Sequence, residues 1–210
     1  MSGGVRLTAI DRKNILKAAE QLCKSVHFSQ SEVVQLLMKY HEMTSDRIDR
    51  VKFRDLLHDH FDMSDDFFMD RVFRAFDKDS DSFLSQEEWV RGMSIFLRGS
   101  LEEKIEYCFN IYDLNNDGYI SREEMFQMLK TTVRPTGEEE LEDYVKDLVE
   151  ITIKMMDQDK DSKLSLEDYR TAVQKERLLI EAFGPCLPPR QKLEEFSDSL
   201  FNSSTTTSLP

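Results

Sequence analysis

The sequence predicts an all-α fold in which paired helix–loop–helix units form two lobes. Apolar residues recur every three to four positions along most of the 210-residue chain, which is the period of helices that bury one face. A twelve-residue acidic pattern interrupts these helical segments three times, beginning at Asp77, Asp113 and Asp157. The starts lie 36 and 44 residues apart, about the length of one helix–loop–helix unit. The chain is therefore expected to consist of repeats of such a unit.

The middle loop, residues 113–124, has the sequence DLNNDGYISREE. It places side-chain oxygens at loop positions 1, 3, 5, 9 and 12, with a glycine at position 6, which is the pattern of an EF-hand calcium loop. Ca²⁺ takes six to eight oxygen ligands, and the glycine permits the sharp turn around the ion. The predicted ligands are Asp113, Asn115, Asp117, the backbone carbonyl of Tyr119 and both carboxylate oxygens of Glu124, with Ser121 acting through water.

Two further loops repeat this pattern, at residues 77–88 (DKDSDSFLSQEE) and 157–168 (DQDKDSKLSLED). In the first, the predicted metal ligands are Asp77, Asp79, Asp81, the carbonyl of Phe83 and Glu88. In the second, they are Asp157, Asp159, Asp161, the carbonyl of Lys163 and Asp168. We therefore expect up to three bound Ca²⁺ ions.

The three loops are not equivalent. Position 6 is Ser82 or Ser162 in the outer loops, and a non-glycine residue in the required left-handed conformation costs about 1–2 kcal/mol. Each outer loop nevertheless has four acidic ligands, whereas loop 113–124 has three acids and one asparagine. Asp168 is one methylene shorter than the usual glutamate, which favours a smaller, Mg²⁺-like shell. Loop 113–124 is predicted to be the most Ca²⁺-selective; loop 157–168 is predicted to be the least selective and the first to hold Mg²⁺ at rest.

A fourth, degenerate unit is predicted upstream, because EF-hands pair to bury their apolar faces. Counting back from Asp77 by the repeat length gives residues 41–52 (HEMTSDRIDRVK). Ile48 keeps the apolar position 8, but His41, Met43 and Ser45 replace the first ligands and Lys52 replaces the bidentate acid. The fold unit is expected to survive without binding calcium.

The predicted organisation is an N-terminal lobe over residues 1–98, a C-terminal lobe over 99–184 and a C-terminal segment over 185–210. Gly99 is the predicted hinge, and residues 131–140 are predicted to form a loop. Ser100-x-x-Glu103 lies outside any ion loop, so Ser100 is expected to start a helix as its N-cap. Short strand pairs are predicted between loops, Ile48 with Leu84 and Ile120 with Leu164.

The C-terminal segment carries prolines and then a short apolar stripe formed by Leu193, Phe196 and Leu200. Two interpretations are open: a tail helix that folds into an apolar groove when no partner is present, or a helix that lies on the surface. Residues 202–210 are expected to be disordered. The candidate groove residues are Met93, Phe96, Phe109, Met125, Met128 and Met155; the alternative is an ordinary core, which a helical methionine or aromatic stripe forms more often than a groove.

Composition and the absence of certain motifs argue against several classes of function. The formal net charge of −13 argues against nucleic-acid binding. No lipid anchor, signal peptide or membrane span is expected. The three cysteines have unrelated spacings, which favours a reducing compartment. The sequence has no nucleophile–base arrangement and no phosphate-binding glycine loop, so catalysis is not expected.

The whole chain resembles four-EF-hand calcium sensors of the neuronal calcium sensor and calcineurin B type. Within that group it is most similar to the calaxin family, the calcium sensors of outer-arm dynein in cilia and flagella. The resemblance lies in residues 69–76 (MDRVFRAF), 96–104 (FLRGSLEEK), 146–152 (KDLVEIT) and above all 181–188 (EAFGPCLP). The last segment lies outside the ion loops, so metal chemistry does not account for it.

The resemblance implies a sensor located in the axoneme and cytoplasm that binds dynein chains and outer-arm docking components in a Ca²⁺-dependent way. It also implies control of ciliary waveform and motility, anchoring of the outer arm, and microtubules as a further partner. Three alternatives stay open: a neuronal-calcium-sensor-like protein with another target, a calcineurin B-like regulatory subunit of an enzyme, and a calcium buffer.

Overall fold

A computed structural model describes residues 8–44, 46–133 and 138–201, and only the backbone of residues 138–140. Within these residues the chain forms ten α-helices, a 3₁₀-helix and four two-residue strands, which confirms the all-α EF-hand fold. The helices are α1 Ala9–Leu22, α2 Gln30–Met43, α3 Arg50–Phe61, α4 Asp66–Phe76, α5 Gln86–Arg98, α6 Leu101–Tyr112, α7 Arg122–Thr132, α8 Glu138–Met156, α9 Leu166–Lys175 and α10 Arg190–Phe201. The 3₁₀-helix η1 is Arg177–Glu181, and the strands are β1 Ile48–Asp49, β2 Phe83–Leu84, β3 Tyr119–Ile120 and β4 Leu164–Ser165.

The strands pair as the sequence predicts. β1 lies antiparallel to β2 with Ile48 opposite Leu84, and β3 lies antiparallel to β4 with Ile120 opposite Leu164. All four of these side chains are buried, so each strand pair connects two loops and also contributes to a core.

Contacts divide the chain into two compact units. Unit 1 is formed from Met1–Ser64, Val72–Gly99 and Pro188–Pro210, and unit 2 from Asp65–Arg71 and Ser100–Leu187. The predicted boundary near Gly99 stays a prediction, but the contacts differ from the predicted division in two places. The first turns of α4 belong to unit 2, and the C-terminal segment from Pro188 onward belongs to unit 1.

Unit 1 has an aromatic core. The rings of Phe76 and Phe96 lie 5.0 Å apart at an edge-on angle, and Phe53 contacts Phe76 at the same centroid distance. The indole of Trp89 donates a hydrogen bond of 3.1 Å to the carbonyl of Leu36, so its one polar atom is satisfied in the interior. Tyr40 donates its hydroxyl proton to the carbonyl of Leu84, 2.8 Å away.

The C-terminal helix α10 packs onto unit 1 against α2, α3 and α5. Phe196 is buried, with its ring centroid 4.9 Å from that of Phe61, and Phe61 in turn contacts Phe96. The predicted tail helix therefore exists and packs onto unit 1 through Phe196, with Leu193 and Leu200 partly buried. That it occupies the place of a partner stays a prediction. Residues 202–210 lie outside the described residues.

Unit 2 is centred on Tyr112, which contacts Tyr169 and Phe183 with edge-on rings. Ser100 is the N-cap of α6 in a complete capping box with Glu103, as predicted. Of the loop predicted at residues 131–140, both ends are helical, since α7 continues to Thr132 and α8 begins at Glu138, and residues 134–137 lie outside the described residues. Among the described residues, no helix is long and apolar enough to cross a membrane.

The candidate groove residues are mostly core residues in this structure. Met93, Phe96, Phe109, Met125 and Met128 are buried within their units, whereas Met155 is 60% exposed. Their burial fits the ordinary-core alternative, since a methionine or aromatic stripe at helical spacing most often packs inward.

Candidate functional site: three acidic loops

Each predicted ion loop joins two helices. Loop 77–88 lies between α4 and α5, loop 113–124 between α6 and α7, and loop 157–168 between α8 and α9. In all three, the position-9 serine starts the exiting helix in a capping box with the acid at position 12. The last predicted ligand is therefore held in place by the same local geometry that starts the helix.

The first acid of each loop organises the turn. In loop 113–124, one oxygen of Asp113 accepts from the amide of Asp117 at 3.1 Å and the other from Gly118 at 2.8 Å. Loop 77–88 repeats both contacts, with Asp81 and Ser82 donating to Asp77. The backbone therefore wraps around the first carboxylate.

The acid at position 12 distinguishes the loops. Glu124 accepts two loop amide hydrogen bonds through one oxygen, from Leu114 at 2.8 Å and Asn115 at 3.1 Å. Glu88 does the same with Lys78 and Asp79. The corresponding oxygen of Asp168 accepts from Gln158 at 3.2 Å. The shorter side chain thus reaches less far across the loop, as expected from its missing methylene.

The backbone at position 6 has the predicted left-handed conformation. Its φ is 69° at Ser82, 88° at Gly118 and 70° at Ser162. Position 4 is also left-handed, at Ser80, Asn116 and Lys160, which the sequence analysis did not anticipate. Of these three residue types, asparagine adopts this conformation most readily, so loop 113–124 has the least strained backbone.

The acidic side chains converge in the outer loops. The ligand oxygens of Asp77, Asp79 and Asp81 all lie within 4.8 Å of one another, and Asp157, Asp159 and Asp161 form an equivalent group. In the middle loop the amide of Asn115 donates to Asp117 at 3.0 Å, so one repulsion between carboxylates is replaced by a hydrogen bond. Clustered carboxylates of this kind suit a hard divalent cation, which would neutralise their repulsion.

Electrostatics within the loops follow from this crowding. Desolvation, together with the carboxylates of Glu88 and Asp79, raises the pKa of Asp77 above its ordinary value. Glu88 behaves in the opposite way: despite partial desolvation, hydrogen bonds from Ser85 and the loop amides lower the pKa of this carboxyl. These hydrogen bonds therefore favour the ionised form of Glu88.

Two arginines contact the loops in ways that the sequence did not reveal. Arg47, in the degenerate unit, forms an ion pair with the predicted ligand Asp81. Arg71, on α4, donates four hydrogen bonds to backbone carbonyls at the end of α6 and the start of loop 113–124. Both contacts join residues more than thirty positions apart, so a local motif could not indicate them.

The degenerate unit keeps two helices joined by a loop with a short strand, but the loop is shortened. Helix α2 extends to Met43, so the first three of the twelve predicted loop residues are helical, and α3 begins at Arg50, at the same loop position where the exiting helix of loop 77–88 begins. Lys52 donates to the hydroxyl of Thr44 at 3.3 Å, placing a cation where the other loops hold an acid. Ser45 lies outside the described residues. The unit keeps its strand pairing, and its failure to bind calcium stays a prediction.

The two loops of unit 2 also touch through a side chain. The ammonium of Lys163 lies 4.5 Å from the ring centroid of Tyr119. Both residues occupy position 7, where the backbone carbonyl is the predicted ligand. All fifteen predicted ligands thus lie in three comparable loops, and the number of ions and their identity stay predictions.

Comparison with known proteins agrees with this geometry. A family model described as an EF-hand domain pair matches residues 102–174, and a model described as an EF hand matches residues 68–94. The chain is 54% identical over 202 residues to calaxin of Xenopus laevis, covering 91% of this chain and 97% of that protein. It is 48% identical to calaxin of Bos taurus over 203 residues and to calaxin of Homo sapiens over 202, in each case covering 91% of this chain and 96% of the relative.

The fold and the three acidic loops define an EF-hand calcium-binding sensor, a regulatory protein. The similarity to calaxins is high and extends over nearly the whole of both chains. The chain belongs to the calaxin family.

Proposed function

We propose that this protein regulates axonemal outer-arm dynein in response to Ca²⁺, and so controls the waveform and motility of cilia and flagella. The observation that carries the proposal is the 54% identity to a calaxin over 91% of the chain, far beyond the three twelve-residue ion loops. The proposed location is the axoneme and the surrounding cytoplasm. The proposed partners are dynein chains, docking components of the outer arm and microtubules.

The mechanism starts in the loops. Without an ion, the carboxylates of each outer loop repel one another at separations under 4.8 Å. These carboxylates and the position-12 acid would hold a divalent cation, which would offset their repulsion. A shift of the position-12 acid on ion binding would turn the exiting helix, because that acid lies in the helix's first turn. In unit 1 this helix is α5, which has Glu88 in its first turn and carries the buried Met93 and Phe96.

Movement of α5 would couple ion binding in loop 77–88 to the exposure of apolar side chains. Phe96 packs against Phe61, and Phe61 packs against Phe196 of α10. A turn of α5 would loosen this cluster and expose apolar side chains to an amphipathic target helix. Helix α10 already packs on this aromatic cluster, so a target helix that binds there would have to displace α10.

The test is retention of dynein from a demembranated axonemal extract on the immobilised full-length protein, first with Ca²⁺ and then with a chelator. The loop-disabled variant carries Glu88→Gln, Glu124→Gln and Asp168→Asn. A matched control carries Glu87→Gln, Glu123→Gln and Glu167→Gln, which remove the same charge from neighbouring residues that are not predicted ligands.

The proposal expects dynein chains to be retained in an amount that changes with Ca²⁺ for the wild type and the matched control but not for the loop-disabled variant. Equal retention in every condition would indicate a structural anchor in place of a switch. No dynein on any column would overturn the proposal and favour a sensor with another target. High ion affinity with little exposure of apolar surface would favour a calcium buffer.

A further inference from the structure

Two cysteines far apart in the sequence meet in the core of unit 2. Cys108 lies on α6, and Cys186 lies in the segment that follows η1. Their sulfur atoms are 2.9 Å apart, both thiols are free, and both side chains are fully buried. A disulfide requires a sulfur separation of about 2.05 Å, so the pair needs little movement to become bonded.

The backbone around Cys186 is held independently of its sulfur. The carboxylate of Glu181 accepts hydrogen bonds of 3.0 Å from the amides of both Cys186 and Leu187. Tyr112 donates its hydroxyl proton to the carbonyl of Gly184 at 2.6 Å. Gly184 has a φ of 144°, and a Cβ there would lie 2.2 Å from the ring of Phe68. These contacts fix the turn around Cys186, and the turn places the Cys186 thiol against that of Cys108.

We propose that Cys108 and Cys186 form a reversible disulfide, with a peroxide as the oxidant, making this pair a redox modification site in the lobe that holds loops 113–124 and 157–168. The inference rests on the geometry of the pair and does not depend on the proposed action on dynein.

The chemistry balances with one peroxide for each bond. The thiolate of one cysteine attacks a peroxide oxygen and becomes a sulfenic acid as the first water leaves. The second thiol, after losing its proton, attacks the sulfenic sulfur, and the hydroxyl leaves as a second water. The two thiols lose two electrons and two protons, and hydrogen peroxide is reduced to two waters. A dithiol reductant reverses the bond by exchange.

Burial controls the rate of this reaction. Desolvation raises the pKa of the Cys108 thiol well above its ordinary value, which disfavours the reactive thiolate while the lobe is closed. Oxidation is therefore expected to be slow in the closed lobe and faster when η1 and the following turn move away from α6.

The disulfide would connect the first helix of the EF-hand pair in unit 2 to the segment that follows its last helix. Helix α6 enters loop 113–124, and Cys186 follows the helix that leaves loop 157–168. Tyr112, which directly precedes the first predicted ligand Asp113, already contacts the sulfur of Cys186 at 3.2 Å. Oxidation would thus restrict α6 close to the point where ion binding must move it.

The experiment uses the full-length protein with Cys23→Ser, which removes the third, partly exposed cysteine and with it intermolecular bonding through that residue. The protein is treated with hydrogen peroxide in the presence of Ca²⁺ or of a chelator, and then alkylated after unfolding. The expected product is monomeric, has lost about 2 Da, resists alkylation at both remaining cysteines and is restored by a dithiol.

Cys108→Ser and Cys186→Ser, each in the same background, are expected to lose the 2 Da shift and to leave one alkylatable thiol. The oxidised protein should also melt roughly 10 °C higher than the reduced protein, because the bond closes a long loop in the unfolded chain. Thiols that stay fully alkylatable with and without Ca²⁺, or that gain about 16 Da or more without joining, would overturn the proposal.

Discussion

The guanidinium of Arg71 donates a hydrogen bond of 2.7 Å from Nη2 to the backbone carbonyl of Asp113, the first predicted ligand of the middle loop. The same side chain donates to the carbonyls of Ile111 at 2.9 Å and Asn110 at 3.2 Å. These carbonyls belong to the last turn of α6, where the helix itself offers no donors. Arg71 therefore caps the helix that leads into the loop.

Replacing Arg71 with methionine should destabilise the protein by about 2–4 kcal/mol, because buried carbonyls lose their charged donor. Loop 113–124 should also bind Ca²⁺ more weakly, since its entering helix loses its cap. Urea unfolding and ion titration measure the two effects. Arg74→Met, an exposed change on the same helix, is the matched control, and equal destabilisation by both variants would contradict the capping role.

Introducing a glycine at one loop and removing a glycine from another should change the stability of the protein in opposite directions. Ser82→Gly should stabilise the protein by up to about 1 kcal/mol, because it removes the strain of a left-handed serine. Gly118→Ala should destabilise it by about 1–2 kcal/mol through backbone strain alone, because no atom lies within 4 Å of the added Cβ. Thermal unfolding checks both, and the same sign for the two changes would refute this explanation.

Lengthening Asp168 to glutamate should raise the Ca²⁺ affinity of loop 157–168 by roughly tenfold and lower its preference for Mg²⁺. The added methylene would let the carboxylate reach the ion with both oxygens, as is predicted for Glu124. Calorimetric titration with each ion measures the change. Glu167→Asp, on the same turn, should leave the affinities unaltered, and an unchanged Ca²⁺ to Mg²⁺ ratio for Asp168→Glu would count against the explanation.

Arg47→Gln should strengthen ion binding by loop 77–88, because Asp81 no longer has to leave an ion pair. The pair is partly exposed, so the gain should be no more than about 1 kcal/mol and should shrink at high salt. Ion binding can be measured by the fluorescence of Trp89. This residue is the one tryptophan of the chain and directly follows Glu88, the last predicted ligand of the loop. Arg91→Gln breaks an ion pair with the non-ligand Glu87 and is the control. A weaker affinity for Arg47→Gln would mean that the arginine shapes the loop.

Removing the apolar anchor of the tail tests whether α10 occupies a binding surface. Phe196→Ala should cost about 3 kcal/mol of stability and increase the binding of an apolar dye by the ion-free protein. Truncation after Pro189 should expose the same surface and tighten target binding. Glu194→Ala, exposed on the same helix, should do neither. Unchanged target affinity and unchanged dye binding after truncation would exclude the autoinhibitory role.

The ion loops could be predicted from the sequence because their geometry depends on residues that lie close together in the chain. A calcium loop needs oxygens at set positions within twelve residues, and a left-handed residue at position 6 follows from the turn that brings them together. The predicted φ at Ser82 and Ser162 is therefore observed. The degenerate unit keeps the predicted helices and strand pairing, but its loop starts later than expected, because α2 continues to Met43 where the other units place their first ligands.

Spacing and side-chain chemistry act over a few residues. They were therefore enough to predict the helical class, the three acidic loops with their fifteen candidate ligands, and the strand pairs. Four contacts became visible only in the folded chain: Phe196 packs beside Phe61, Arg71 caps α6, Arg47 pairs with Asp81, and Cys108 lies against Cys186. Each of these contacts joins residues more than thirty positions apart. Such pairs are selected by how whole helices pack, and packing depends on the shape of the complete core, which no short pattern encodes.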